Sequence, residues 1–433
     1  MNKTGKTMLA SIFLLLLLFP FAPIADANQS GVDWWSMFRH DPAHSGFSTS
    51  TAPDTNQTLW ISSLNGSVSS SPVIVEGRVY VTSWDIMCSW DSTIYCLNAA
   101  TGEQIWSKSI TDYASSCAVA DDKLYLEASE GIVYCLDALN GEQIWSYKTG
   151  DHNSGSSPTF FEGKVYIGSA DKKVYCLDAN TGKLVWSYET DANVWGSPAI
   201  ANNKIYIGGS GDNKIYCLDA NTGAYWWSYT SGAVVRSSAV VNNKVYISSD
   251  DRKVCCLDAE TASLVWYYTT GSMVSSSPAI ADGKIFFGSN DQQVYCLNAT
   301  TGKLLWSYIT NGVVSSSPAV ADDKIFVGSE DGNVYCLDVD TGLSIWTYKT
   351  QDYVKSSPAV ADNVIYIGSG DGKIYAFGSA TTYIIPLTQK DPCYTETIYL
   401  IPIIAIVIAA LTIIIVKMKA GLSKINWNIK RRD

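Results

Sequence analysis

A Tyr-Cys-Leu triplet or a close variant returns at Cys96, Cys135, Cys176, Cys217, Cys256, Cys296 and Cys336, spaced 39 to 41 residues apart, and Ala376 fills the next slot. Ten residues after each of the seven cysteines stands a tryptophan: Trp106, Trp145, Trp186, Trp227, Trp266, Trp306 and Trp346. Ala376 has no such tryptophan, whereas Trp60 stands upstream of the first unit with no cysteine before it. Two half-units therefore flank seven whole ones, and together they make an eighth.

Within residues 276–308, four short runs of β-branched and aromatic residues are separated by Gly, Asp and Asn turns, the signature of four antiparallel strands A to D joined by tight hairpins. Runs such as Val-Tyr-Cys-Leu are apolar on both alternations, so both faces of each sheet are covered. A four-stranded sheet repeated about every 40 residues and packed on its neighbours is a propeller blade. The fold class expected is all-β: an eight-bladed β-propeller of four-stranded antiparallel blades over residues 56–378, plus one C-terminal transmembrane helix. Trp60's segment is expected to supply the outer strand of the blade that ends at Ile374 to Phe377, which leaves no open edge at the seam.

The ends read as membrane-directed. Lys3 and Lys6 precede an apolar run from Met8 to Phe19, and Ala25-Asp26-Ala27 supplies the small residues of a cleavage site, a secretory signal peptide over 1–27. A lead-in segment follows over 28–55. Beyond a juxtamembrane linker, 379–397, residues 398–416 are free of charge and long enough to cross a bilayer. The tail, 417–433, carries six Lys or Arg, which the positive-inside rule places in the cytoplasm. The expected location is thus the cell membrane, single-pass, with an extracellular propeller. Sequons at Asn28, Asn56, Asn65 and Asn298 are consistent with a glycoprotein. Without the two ends, 22 basic residues face 39 acidic ones, a net charge of −17 that repels phosphate backbones and argues against nucleic acid as a partner.

The stretch Cys176-Leu-Asp178-Ala-Asn-Thr181-Gly182-Lys-Leu-Val-Trp186 resembles the tryptophan-docking motif of quinoprotein propellers, with Cys in place of that family's Ala. It recurs from Cys96, Cys135, Cys217, Cys296 and Cys336, and imperfectly from Cys256, where Ala262 replaces the Gly. The segment from Trp35 to Gly46 is similar to a lead-in common in that superfamily, which includes quinone-dependent alcohol dehydrogenases and the bacterial outer-membrane assembly lipoprotein. Read physically, Thr and Gly make the C–D turn, the Asp caps it, and Trp60 with its seven repeat counterparts is expected to stack over that turn and pack on the adjoining blade.

Chemistry-bearing patterns are few. His40 and His44 flank Asp41 at a metal-like spacing, but Pro42 interrupts any helix there. Asp171, Asp212, Asp250, Asp251, Asp291, Asp331 and Asp371 fall where hairpins need such residues. No nucleophile elbow, P-loop or dinucleotide fingerprint appears. The repeat cysteines read as small buried hydrophobes, and Cys255-Cys256 as an accidental neighbour pair. Cys88, in the blade 1 insertion 83–91, and Cys117, in a Pro slot of blade 2, are expected at the same end of adjacent blades, close enough for a disulfide.

A ligand site is expected, if anywhere, at one mouth of the central channel, faced by the residue before each Ser-Ser-Pro-like triplet. There Trp195, Arg236 and Lys355 break a pattern of small residues and would suit a flat anionic ligand. With loops this short, the expected function is a cell-surface scaffold that binds proteins or ligands, its partners other surface or membrane proteins. No catalytic residue, metal or cofactor is expected. The resemblance implies one alternative, a membrane-tethered dehydrogenase using pyrroloquinoline quinone.

Overall fold

The computed structural model describes residues 33–85, 91–111, 113–150 and 155–379. They form eight four-stranded antiparallel sheets. Seven run consecutively from inner strand A to outer strand D, at 73–110, 118–148, 159–189, 199–230, 235–269, 279–309 and 319–349. The eighth takes strands A to C from 359–377 and its outer strand from Thr58–Ser63. Trp60 is in register with Ala376 and Ile61 with Tyr375. Inner strands of neighbouring blades touch all the way round, blade 8 against blade 1 included, so they line a closed ring around a central axis.

The expected signal peptide 1–27, the expected linker beyond Ser379, the expected transmembrane segment 398–416, the tail 417–433 and Cys88 all lie outside the described residues. Among the described residues, no helix is long and apolar enough to cross a membrane.

Each tryptophan works between blades. Trp106 Nε1 and Tyr80 Oη of blade 1 both donate to Ala138 O of blade 2, at 3.0 and 3.1 Å. Trp145 with Tyr125, and Trp186 with Tyr166, do the same to Ala179 O and Ala220 O. Trp227, Trp266 and Trp306 reach the carbonyls of Ala259, Ala299 and Val339. At the seam, Trp60 and Tyr366 converge on Ala99 O although 306 residues separate them. Blade 8 has no C–D turn for Trp346 to meet, and Pro53 O of the lead-in takes that role at 3.4 Å.

The ring thus stacks over the turn of the next blade, where the sequence placed it over its own. A strand rising from its turn carries its third residue away from that turn, whereas the neighbouring blade presents its own turn directly beneath the ring. A Cβ added at Gly182 would come within 2.6 Å of Trp145, from the preceding blade. Gly182 also has φ +67°, the left-handed region that L side chains resist. Gly182→Ala is therefore expected to destabilise by about 2 kcal/mol or more. In blade 5, Ala262 already holds φ +59° in the corresponding turn. There Ala262→Gly is expected to stabilise by up to about 1 kcal/mol, the strain relieved less the entropy of glycine. Denaturant midpoints of the two variants should move in opposite directions.

Other repeat positions have equally local explanations. Asp171 Oδ1 accepts from Lys173 N, while Oδ2 accepts from Tyr175 Oη and from Gly150 N at the end of the preceding blade. Asp331 and Asp371 repeat this clamp in full, and Asp291 repeats its Oδ2 half, accepting from Gly271 N and Tyr295 Oη. The Asp-rich turns thus staple blades together. The repeat cysteines pair in register with their tryptophans and are buried. Burial pushes thiols such as Cys176 and Cys217 up to about 12, where they are unreactive at neutral pH.

Candidate functional site

The axis of the propeller is filled by the chain's own lead-in. A-strand N–H groups of six blades donate to it in ring order: Ile74 to Trp35 O, Val119 to Ser36 O, Ile200 to Pro42 O, Val240 to Ala43 O, Ile280 to Ser45 O and Val320 to Gly46 O, at 2.6 to 2.9 Å. Phe47 bridges Val320 in parallel, and Ser48 N returns a bond to Val320 O. Buried backbone donors need acceptors, and here one irregular segment winding round the axis supplies them. The sequence pointed to a channel; the structure corrects that to a channel closed at one end.

Arg39 anchors this plug. Its side chain is fully buried, with Nη1 donating to Pro318 O and Nη2 to Pro278 O, at 2.5 and 3.1 Å, on blades 7 and 6. Burial draws its pKa down to about 9, which leaves it charged at neutral pH. Asp33 ties the ends of the segment: Oδ1 meets His40 Nε2 at 2.9 Å, and Oδ2 accepts from Ser48 Oγ and from Thr49 N and Oγ1. His40 has φ +81°, so the two histidines share no helical face. Among the described residues, no group of His, Cys, Asp and Glu could hold a metal ion.

The two histidines give the plug opposite pH responses. His44, fully buried with Nε2 3.3 Å from Thr159 Oγ1, is pulled down to about 4 by burial, against the field of Asp41 and with that of Arg39. Its folded pKa lies below the ordinary value of about 6.5. The stability it lends is therefore present above pH 6.5 and lost as pH falls through 4, on the order of 3 kcal/mol. Burial also opposes charge on His40, but hydrogen bonds to Asp33 and Asp41 and their charges prevail and raise it to about 9. That contribution is full below pH 6.5 and lost as pH rises through 9. The melting temperature is thus expected to peak near pH 6.5, and His44→Gln to remove the acid limb; a melting scan from pH 4 to 9 with no such limb would contradict this placement.

The other mouth keeps the residues the sequence singled out. Trp195 is 49% exposed. Arg236 makes a bidentate pair with Asp250, both contacts 2.9 Å. Lys355 Nζ lies 3.7 Å from Glu330 Oε2 and over the Tyr353 ring, and Glu330 Oε1 also accepts from Ser315 Oγ. Trp195 and Arg236 stand on neighbouring blades 4 and 5, while Lys355 stands on blade 8, opposite blade 4 in ring order. Each cation thus has a carboxylate beside it, Asp250 or Glu330, which the sequence reading missed. Both acids stand just before a repeat Asp, and that shared slot was the signal available. Cys117 is buried in the blade 1–2 core with Cys96 and Tyr80.

Below this mouth runs a belt of serines. Ser157 N donates to Ser197 Oγ, Ser277 N to Ser317 Oγ, Ser317 N to Ser357 Oγ and Ser71 N to Ser116 Oγ, each across a blade boundary. The Ser-Ser-Pro triplets are thus inter-blade fasteners. Blade 5 is one residue shorter between Val235 and Ala239 than blade 4 between Val194 and Ala199, and its inner strand runs unbroken over Val235–Val241.

Cys255 and Cys256 occupy successive positions of the regular strand Lys253–Asp258, and their side chains join separate cores on opposite faces of the sheet. They are free thiols, and neither faces the channel.

The perimeter is unusually apolar. In blades 3, 5 and 6 the two residues before the docking tryptophan are exposed apolar pairs, Leu184 and Val185, Leu264 and Val265, and Leu304 and Leu305, and in blades 1, 2 and 7 the nearer one is exposed, Ile105, Ile144 and Ile345. Tyr225 and Trp226 on blade 4 are 52% and 53% exposed. This band runs along unpaired D-strand edges, which are ready templates for another chain.

A family profile described as "Outer membrane protein assembly factor BamB" matches residues 48–159, 130–241, 211–314 and 295–382. No curated protein sequence matches. Among solved structures, BamB from Moraxella catarrhalis is 19% identical with a TM-score of 0.64, over 75% of this chain and 99% of that one. A computationally designed protein, Ika8, is 20% identical with a TM-score of 0.66, over 75% and 100%. A europium-containing methanol dehydrogenase is 15% identical with a TM-score of 0.67, over 80% and 98%. At these identities the likeness is one of fold, shared by an assembly factor, an enzyme and a design alike.

Proposed function

Because the chain belongs to the family of the outer membrane protein assembly factor BamB, we propose that it is an exported, membrane-anchored propeller that serves as a docking scaffold for other surface or membrane proteins. The observation that carries this reading is the plug. With residues 35–48 bonded into the axis, the propeller offers partners its faces and rim. The exposed outer-strand band and Trp195, an exposed aromatic on the blade next to the Arg236–Asp250 pair, have the composition of interface anchors. The apolar segment 398–416 and the basic tail supply the anchor and its orientation in this reading.

Protease added to intact cells tests the topology. The propeller should be digested while an epitope placed after Asp433 survives, and a protected propeller would refute export. Partner capture by photo-crosslinking from position 226 should yield discrete adducts, fewer when the exposed perimeter residues Val185 and Tyr225 are replaced by Ser. The enzyme alternative is tested by titrating the protein with pyrroloquinoline quinone and calcium. No saturable absorbance change is expected, and a stoichiometric one would favour the dehydrogenase.

A further inference from the structure

In four blades the lysine that opens strand B straps across to the next blade's C–D turn or its substitute. Lys164 Nζ donates to Asn221 Oδ1 at 3.2 Å, Lys204 pairs with Glu260, Lys284 with Asp340 at 2.7 Å and Lys324 with Asp54 at 2.9 Å. Between blades 5 and 6 there is no such strap, as also at the 1–2 and 2–3 interfaces, where Arg78 and Lys123 turn back to Glu76 O and Asp121 O, and at 8–1, where Val364 opens the strand. At the 5–6 interface the slot held elsewhere by Asn221, Glu260 and Asp340 is Thr300, and Lys244 turns back to Asp258 of its own blade at 2.9 Å.

At that break a cavity of about 390 Å³ opens. Phe47 of the lead-in, Val265 and Ile280 give it apolar walls, and Lys244, Thr300 and Asp282 bring the polar groups. The volume falls within the range of small-molecule sites, which pair mostly apolar walls with a few placed polar groups. We propose that this cavity binds a small amphipathic carboxylate: the anion takes the place on Lys244 that the next blade's acid fills elsewhere, and the apolar body lies against Phe47, Val265 and Ile280.

Lys244 can accept this partner without leaving Asp258, because an ammonium has three donors. Asp258 itself is held by its turn, where Oδ1 accepts from Glu260 N, Thr261 N and Thr261 Oγ1. Asp282 sits exposed at the rim, where its charge disfavours a dianion such as phosphate and leaves a monocarboxylate as the better match. At the floor, Tyr246 Oη is engaged with Ala299 O at 3.4 Å, and the Cys256 thiol is buried and raised to about 12, so the site binds and does no covalent chemistry. One wall belongs to the plug, so an occupant touches lead-in and blades together.

The test uses the full-length protein in detergent with 4-phenylbutyrate as probe, followed by saturation-transfer NMR titration. Saturable binding is expected, with 4-phenylbutylamine about tenfold or more weaker, the discrimination of one charge-assisted contact. Lys244→Gln should weaken binding by about tenfold, and so should Thr300→Asp, which rebuilds the strap and closes the site. Lys204→Gln, at an interface already strapped by Glu260, should leave binding unchanged. Unaltered melting of Thr300→Asp would show that its loss of binding is not a loss of fold. Equal binding of the amine, no saturable binding of the carboxylate, or full affinity in both Lys244→Gln and Thr300→Asp would overturn the proposal.

Discussion

Deletion of residues 28–65 is expected to destroy the monomeric propeller. The cut removes the outer strand Thr58–Ser63 of blade 8, leaving Lys373–Phe377 as a bare edge. It removes Trp60, whose ring lies on the Gly102 turn of blade 1, a contact whose loss alone costs about 3 to 5 kcal/mol. It also takes away the six lead-in carbonyls that satisfy the inner strands, and Pro53, on which Trp346 rests. Against a total stability of order 5 to 15 kcal/mol for a folded domain, these losses leave no margin. Size-exclusion chromatography should find aggregates, and calorimetry no cooperative transition. A truncated protein that ran as a monomer with unchanged melting would falsify closure through the N-terminal strand.

The second large effect is expected from Arg39→Ala. Two proline carbonyls, of Pro278 and Pro318, lose their donor inside the ring, at about 1 to 3 kcal/mol for each buried orphan. The guanidinium also packs against Gly46, so a void forms where the plug turns. A total near 4 kcal/mol should lower the melting temperature by roughly 10 °C. Arg39→Met separates the causes: it keeps most of the bulk and loses the hydrogen bonds, so it should recover only the cavity part. Limited proteolysis should then cut within 33–49 before any blade. Wild-type resistance in that stretch after Arg39→Ala would mean that the plug is held by its backbone alone.

How much of this was legible depended on periodicity. The Cys-to-Trp spacing and the two half-units specified the blade count, the strand order and the closing strand, because each blade repeats one hydrophobic pattern. The reach of each tryptophan was not legible, since one unit does not say which neighbour's turn lies beneath the ring; Gly182 under Trp145 needed coordinates. The plug was hidden for a different reason. It is held by carbonyls of residues such as Ser36, Pro42 and Ala43, and every residue type has a carbonyl. Arg39 between Phe38 and His40 was the one side-chain hint, a cation in an otherwise packed aromatic stretch. At the open mouth, Arg236 and Lys355 could be placed from the triplets, but their partners Asp250 and Glu330 come from other hairpins, and no short-range pattern links them.

The one-way docking of tryptophans has a consequence for the order of events in making the molecule. Blades 1 to 6 each lean on the one synthesised after them, blade 7 rests its tryptophan on the lead-in, and blade 8 leans on blade 1. Thr58–Ser63 emerges early and finds its partner only when Lys373–Phe377 has appeared, some 300 residues later. Until then both the waiting strand and the plug behind it lack their ring, while every finished blade still shows a bare face to whatever is nearby. Ring closure is thus the longest-range and slowest step. The interval between the first strand and the last is when the chain is most open to misassembly.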